Sequence, residues 1–154
     1  MIETRKWQHA EQRFLALAIL NLVTLWLYWP VSGFDFVNFD DPEYLLDNGH
    51  VLNGLTRDGF LWAFSSGHAA NWHPLTWISH MLDCELFGVR AGLHHMTNVW
   101  FHIGNSVLVF LLFERMTRTL WPAAFVAALF AWHPLHVESV ACHQRLENRQ
   151  NPTV

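Results

Sequence analysis

The sequence predicts a mainly α-helical integral membrane protein, with about three transmembrane helices and a large helical loop on the outer side. Its composition is the first reason: apolar residues make up 52% of the 154 residues and charged residues only 14%. Soluble domains usually carry about 25% charged residues. The second reason is that uncharged apolar runs alternate with short basic segments. The third is nine tryptophans and twelve phenylalanines, rings that favour a membrane–water boundary.

The first apolar run covers residues 14–31 and reads FLALAILNLVTLWLYWPV. It carries no charge and is near the lower length limit for a spanning helix. A cleaved signal peptide is the alternative, but a signal core is usually shorter and ends in small residues. This run ends in Trp26, Tyr28 and Trp29, which favours a retained span.

The second predicted span covers residues 96–113, and the third covers residues 120–141. Within the second, Asn98, His102 and Asn105 are spaced to share one helix face. Polar groups in a span normally face protein or water rather than lipid. The third span starts with LWPAAFVAALFAW, whose alanines permit close helix packing. It reaches spanning length only if it continues past His133 and Pro134.

Basic residues predict the orientation of these spans. Arg5, Lys6 and Arg13 precede the first span, and Arg115 and Arg118 lie between the second and third. By the positive-inside rule these segments are cytoplasmic, and the loop is external. The predicted organisation is a cytoplasmic N-terminus at 1–13, the three spans, an external loop at 32–95, a cytoplasmic link at 114–119 and a polar tail at 142–154.

The external loop is predicted to hold short helices. Thr56 is a suitable cap for a turn that reaches Phe64. A longer helix is predicted from Pro74 to Gly88, with apolar residues along one side: Leu75, Ile78, Leu82, Leu86 and Phe87. It is interpreted as an amphipathic helix on the outer membrane surface. The alternative is a helix packed on a small core of the loop.

Two adjacent carboxylates, Asp40 and Asp41, follow the first span directly. They repel each other, so one should have a raised pKa unless a positive group lies nearby. Asp41-Pro42 is also a common turn or helix start, so a structural cap is one interpretation. The other is a general base or a ligand of a divalent ion.

Further titratable groups fall on the same predicted side of the membrane. Such groups gathered at one face of a membrane bundle are candidates for a functional site. His80 lies in the same loop. The candidate substrate-binding residues are His73, His94, His95, His133, His136 and Glu138.

No metal site is predicted from these residues. His133 and His136 have the spacing of a metal-binding pair, but Pro134 interrupts their helix, and histidines satisfied at helix ends are the default. Cys84 and Cys142 fit no zinc pattern. The net charge of −4, without a basic cluster, excludes a nucleic-acid partner.

Four segments of the chain resemble a known family. They read FVNFDDPEYLLDN, NWHPLTWISHMLDCELFG, GLHHMTNVWFHIGN and AALFAWHPLHVESVA. In this order they are similar to the N-terminal part of bacterial membrane proteins that join a GT-C glycosyltransferase module to tetratricopeptide repeats. These proteins are related to the transmembrane and tetratricopeptide-repeat O-mannosyltransferases. The resemblance covers roughly residues 14 to 141.

The resemblance implies the N-terminal part of a GT-C fold in the bacterial inner membrane, with loop 32–95 in the periplasm. Asp40 and Asp41 match the acidic catalytic pair of the first external loop, which acts as a base on a hydroxyl of an acceptor protein. In such enzymes the donor is a sugar on a polyprenyl phosphate, and the resemblance implies that His73 meets the donor phosphate. A divalent metal ion assists some members, and for this chain the point stays open.

The resemblance ends at residue 141, where the chain continues as CHQRLENRQNPTV. No 34-residue tetratricopeptide period is visible. We therefore expect a truncated copy or fragment that is inactive alone. The alternative is a small non-catalytic multi-span membrane protein that binds a lipid or a protein partner.

Overall fold

A computed structural model of the chain describes residues 2–36, 45–68 and 72–137, and this part of the chain is helical without a strand. Two compact units are present. We name them the span unit (described residues 2–32 and 95–137) and the loop unit (described residues 33–36, 45–68 and 72–94). The helices are α1 (Ile2–Tyr28), α2 (Gly49–Leu52), α3 (Arg57–Ser65), α4 (Pro74–Phe87), α5 (Ala91–Thr117) and α6 (Leu120–Trp132).

Two described helical segments are long and apolar enough to cross a membrane: His9–Gly33, which includes a 3-10 turn at Trp29–Gly33, and Ala91–Thr117. Only 22% of the most apolar window of each is buried. A core helix of a soluble protein would be mostly buried, because its apolar side chains must be covered. Large apolar side chains such as Phe14, Trp26 and Leu108 are instead exposed, as they are on a lipid-facing surface.

Helix α1 begins well before the apolar run that predicted it. The polar residues from Ile2 onward continue the same helix, because no proline or glycine interrupts the sequence before Pro30. Helix α5 likewise extends beyond the predicted 96–113 at both ends. Apolar runs locate the lipid-crossing part of a helix, whereas breakers and caps decide where the helix ends.

The third predicted span is shorter in the structure than the other two helices. Helix α6 has 13 residues and ends at Trp132. At about 1.5 Å per residue it is about 20 Å long, against a hydrocarbon core of about 30 Å. His133 is extended, with φ −69° and ψ 129°, because a residue before proline is disfavoured in the helical region. Residues 138–141, the predicted remainder, lie outside the described residues.

The span unit is held together by a core of small and large apolar side chains. Leu20 of α1 and Phe110 of α5 pack with three alanines of α6, Ala123, Ala127 and Ala131. The alanines recur every fourth residue, so they form one helix face on which a neighbouring backbone can approach closely. In the N-terminal half of α1, Arg13 Nε forms an ion pair with Glu114 Oε2 of α5 at 3.0 Å.

The loop unit has its own small core, formed by Leu45, Val51, Ala63, Trp77 and Met81. Local capping defines its helices. The Asn48 side chain accepts a hydrogen bond from the His50 backbone N–H, and Thr56 accepts one from the Gly59 N–H at 3.0 Å. The predicted Thr56 cap is thereby confirmed, and it starts α3.

Helix α4 shows two apolar sides. Trp77 and Met81 are fully buried in the loop-unit core. The side predicted to be amphipathic stays largely uncovered, with Leu75 76% and Leu86 61% exposed. Packing on a small core of the loop is therefore confirmed for the Trp77 and Met81 face. Contact of the exposed face with the membrane surface stays a prediction. The helix ends at Gly88, whose φ of 64° favours glycine.

Candidate functional site

The acidic pair Asp40 and Asp41 lies outside the described residues, as does Glu138. Their predicted roles therefore stay predictions. The other candidates fall into the two units: His73 and His94 belong to the loop unit, and His95, His133 and His136 belong to the span unit.

The densest group of ligand-type side chains is in the loop unit. His80, Asp83 and His94 each offer one ligand atom, and these atoms lie within 4.8 Å of one another. Asp83 and His94 are each only 4% exposed, and His80 is partly buried. His94 Nδ1 lies 3.7 Å from Asp83 Oδ2. Among the described residues this is the one such group of three or more.

Local structure explains why these three side chains meet. His80 and Asp83 are three residues apart on α4, so they share one helix face. His94 lies in the first turn of α5, which follows α4 after the short connection through Gly88, and its side chain reaches Asp83 and His80. The ring of Phe36 packs edge-on against the His94 ring, with centroids 5.6 Å apart. The His80 ring stacks on the His94 ring, with centroids 6.2 Å apart.

The hydrogen bonds determine the tautomer of His94. Its Nε2 lies 3.0 Å from the carbonyl oxygen of Gly88. A carbonyl oxygen can only accept, so Nε2 carries the proton and donates it. In the neutral ring Nδ1 then holds a lone pair, and this atom faces Asp83.

Burial sets the protonation of the neighbouring groups. Burial, with the nearby His94 and His73, lowers the pKa of His80 to about 4, so its imidazole is neutral at physiological pH. Burial, helped by the charge of Asp83, raises the pKa of the Cys84 thiol above its ordinary value. Cys84 is therefore a protonated thiol rather than a reactive thiolate.

His73 lies at the start of α4, at the capping position, without a side-chain capping bond. Its ring packs on Trp77, with centroids 4.9 Å apart. It also lines an open apolar pocket of about 420 Å³, formed with Phe64, Trp72, Pro74 and Leu75. The Trp72 indole N–H donates to the Phe64 carbonyl at 2.9 Å and fixes that wall of the pocket.

Three histidines of the span unit, His102, His133 and His136, gather where α6 ends. His136 packs against Phe130 at 4.6 Å and against His102 at 5.4 Å. The rings of His133 and His136 are in edge-on contact, with centroids 6.3 Å apart. Nδ1 of His133 accepts a hydrogen bond from the backbone N–H of Leu135. His95 is buried in the same unit.

The structure thus assembles a group that the sequence analysis did not combine. From the sequence, His94 and His80 are named separately, and Asp83 is not among the candidates. A pattern His-x-x-Asp on a predicted helix, followed by a histidine early in the next helix, is a signal that could have found it. Nothing in the sequence gives the direction of the intervening turn.

Comparisons with known proteins point to one kind of enzyme. The chain is 34% identical over 133 residues to protein O-mannosyl-transferase Tmtc1 of Drosophila melanogaster, an alignment that covers 81% of this chain and 15% of that protein. It is 31% identical over 124 residues to Tmtc2 of the same organism, covering 75% of this chain and 13% of the relative. It is 29% identical over 138 residues to TMTC3 of Mus musculus, covering 85% and 15%.

No family model matches the chain. No solved structure matches it either. The chain spans about 15% of the length of the curated relatives it matches. Over most of its own length, it is therefore similar to one segment of the protein O-mannosyl-transferases.

Proposed function

We propose that this chain is a segment of a membrane glycosyltransferase that transfers a sugar from a polyprenyl-phosphate donor to a protein hydroxyl. The similarity to Tmtc1 carries the proposal. An alignment over 81% of 154 residues leaves about 29 residues outside it. Asp40 and Asp41 lie further than that from either end, so the aligned stretch contains them.

The proposed chemistry is a single displacement at the anomeric carbon. A carboxylate of Asp40 or Asp41 takes the proton of the acceptor hydroxyl as the oxygen attacks the sugar. The bond between the anomeric carbon and the phosphate oxygen breaks, and the lipid phosphate leaves with the electron pair. The anomeric configuration is inverted. A base directly after a spanning helix suits a donor whose reactive carbon is held at the membrane surface.

The proposed setting is a membrane with the loop unit outside. The exposed apolar surfaces of α1 and α5 support membrane insertion. Arg13, Arg115 and Arg118 support a cytoplasmic position for the end of the span unit that carries them. In a bacterium the loop would face the periplasm. The exposed leucines of α4 support contact of that helix with the outer leaflet.

The donor side of the site is proposed to include His73. Its position beside the apolar pocket formed with Phe64 and Trp72 supports contact with the polyprenyl-phosphate donor. A neutral or protonated imidazole can donate a hydrogen bond to a phosphate oxygen. His94, His95, His133, His136 and Glu138 remain candidates for substrate binding.

A chimaera tests this function. The segment of Tmtc1 that aligns with this chain is replaced by the chain, and transfer of mannose from polyprenyl-phosphate mannose to a Ser/Thr peptide is measured in membranes. We expect activity in the chimaera and none in the chain alone. Replacement of the general base, by Asp40→Asn or Asp41→Asn, should lower the rate by about 10²–10⁴-fold.

Asp58→Asn is the matched control, because Asp58 lies in the first turn of α3 in the same loop unit. It should leave the rate unchanged. Full activity in both Asp40→Asn and Asp41→Asn would refute the base assignment. An inserted but inactive chimaera would favour the non-catalytic alternative, a membrane module that binds a lipid or a protein.

A further inference from the structure

We propose that His80, Asp83 and His94 form a binding site for a divalent transition metal, with zinc as the expected ion. The site lies wholly within the loop unit and uses neither the proposed bases Asp40 and Asp41 nor the proposed donor contact His73. His94, one of the candidates for substrate binding, would serve here as a metal ligand. The site therefore stands or falls independently of the proposed function.

The first observation is the orientation of His94. Its Nε2–H donates to the Gly88 carbonyl, so in the neutral ring the lone pair is on Nδ1, the atom that faces Asp83. Metal-binding histidines almost always use their second ring nitrogen in this way, donating to a carbonyl or carboxylate that fixes the ring. The chain thus supplies the outer hydrogen bond as well as the ligand atom.

The second observation is that two buried ring nitrogens of this group make no hydrogen bond. Nδ1 of His94 and Nδ1 of His80 are buried, and neither makes a hydrogen bond to any described residue. The 3.7 Å separation of His94 Nδ1 from Asp83 Oδ2 is longer than the 2.7–3.2 Å of an N–H···O bond. An imidazole nitrogen and a carboxylate oxygen at this separation can both ligate one cation placed between them.

The third observation is the size of the group. Ligands about 2.0–2.1 Å from a tetrahedral zinc are about 3.3 Å from each other. The His94–Asp83 separation of 3.7 Å is close to this value, and the widest separation in the group is within 4.8 Å. Small side-chain rotations would bring all three atoms onto one ion.

The ligand set selects the kind of metal. Two imidazoles and one carboxylate suit zinc and other borderline transition ions, whereas magnesium and calcium prefer oxygen ligands alone. Three protein ligands leave a fourth position for water or a further oxygen. Because the ligands come from α4 and from the start of α5, a bound ion would link the two sides of the connection at Gly88 and restrict its motion.

Metal binding to the full chain tests the site. The protein is produced without a histidine tag in a Cys84→Ser, Cys142→Ser background, purified in detergent, stripped with chelator and titrated with zinc and with cobalt. We expect about one ion per chain and the strong visible absorption of four-coordinate cobalt. His94→Gln and Asp83→Asn should abolish both, whereas His50→Gln, at an exposed histidine of the same unit, should retain them.

A variant that gains a spectroscopic signal distinguishes the loss of a metal ligand from the loss of the fold. With His80→Cys, cobalt should show a thiolate-to-metal charge-transfer band, and with His50→Cys it should not. Zinc should also raise the Tm of the parent protein but not that of Asp83→Asn, because an ion that binds only the folded state stabilises it. Absence of stoichiometric binding in the parent, an equal loss in His50→Gln, or no charge-transfer band in His80→Cys would each overturn the proposal.

Discussion

Single residues in the span unit show how the backbone carbonyls at a helix end can be hydrogen-bonded away from water. The backbone of α6 stops at Trp132, so the Ala131 carbonyl has no helical partner one turn later. His102 of α5 supplies the missing donor, because its Nε2–H donates to the Ala131 carbonyl oxygen at 2.9 Å. On α1, Thr24 donates to the Leu20 carbonyl and accepts the indole N–H of Trp132. Each bond removes an unpaired polar group from a region where water is scarce.

Replacement of His102 tests this account. His102→Leu leaves the Ala131 carbonyl unpaired and should cost about 1–3 kcal/mol of stability, whereas His102→Gln keeps an N–H donor and should cost less. The measurement is reversible unfolding in mixed detergent. The control is Phe101→Leu at an exposed neighbour. A leucine variant as stable as the parent would show that this hydrogen bond contributes nothing.

Single elements carry more than one function, and α4 is the clearest case. One side inserts Trp77 and Met81 into the loop-unit core. A second presents Leu75 and Leu86 outward. Asp83 and His80 lie between them on the helix and point to the proposed metal. A hydrophobic count along the sequence shows that α4 is rich in apolar residues, but it does not show which of them meet protein.

The two sides of α4 should respond differently to truncation. Trp77→Ala removes a fully buried ring and should lower the stability of the loop unit by about 3–5 kcal/mol. Leu75→Ala, at a position 76% exposed, should change it by less than about 0.5 kcal/mol in detergent. Amide hydrogen exchange within α2, α3 and α4 reports the difference. Equal protection in the two variants would contradict the assignment of the core face.

For the whole molecule, the prediction that matters most is its topology. The span unit carries the long apolar helices, and of the described candidates the loop unit carries His73 and His94. By the positive-inside rule, Arg13, Arg115 and Arg118 predict that the end of the span unit that carries them is cytoplasmic. The proposed transfer requires the loop unit on the opposite side.

Cysteine labelling measures this topology. In the background without native cysteines, Leu55→Cys and Thr119→Cys each place one thiol at an exposed position. An impermeant maleimide applied to intact cells should label position 55 at once. It should label position 119 only after permeabilisation. The reverse pattern would overturn the orientation and, with it, the external catalytic loop.

By itself the sequence determined the local features of this protein. Helix type, the apolar stretches of α1 and α5 and the Thr56 cap depend on neighbours in the chain, and all can be read from the printed residues. The end of α6 at Trp132 differs from the predicted span of 120–141. The resemblance to O-mannosyltransferases was likewise carried by short segments, and the similarity to Tmtc1 supports it. The roles of Asp40 and Asp41 stay predictions.

Only the tertiary structure decided which side chains meet. His80 and His94 belong to different helices, and the connection through Gly88, whose φ is 64°, lets their side chains come together within the loop unit. The buried face of α4 was decided by the packing of α2 and α3 against it. Such contacts depend on how a chain reverses and packs, which residue patterns leave undetermined because many packings bury the same apolar residues.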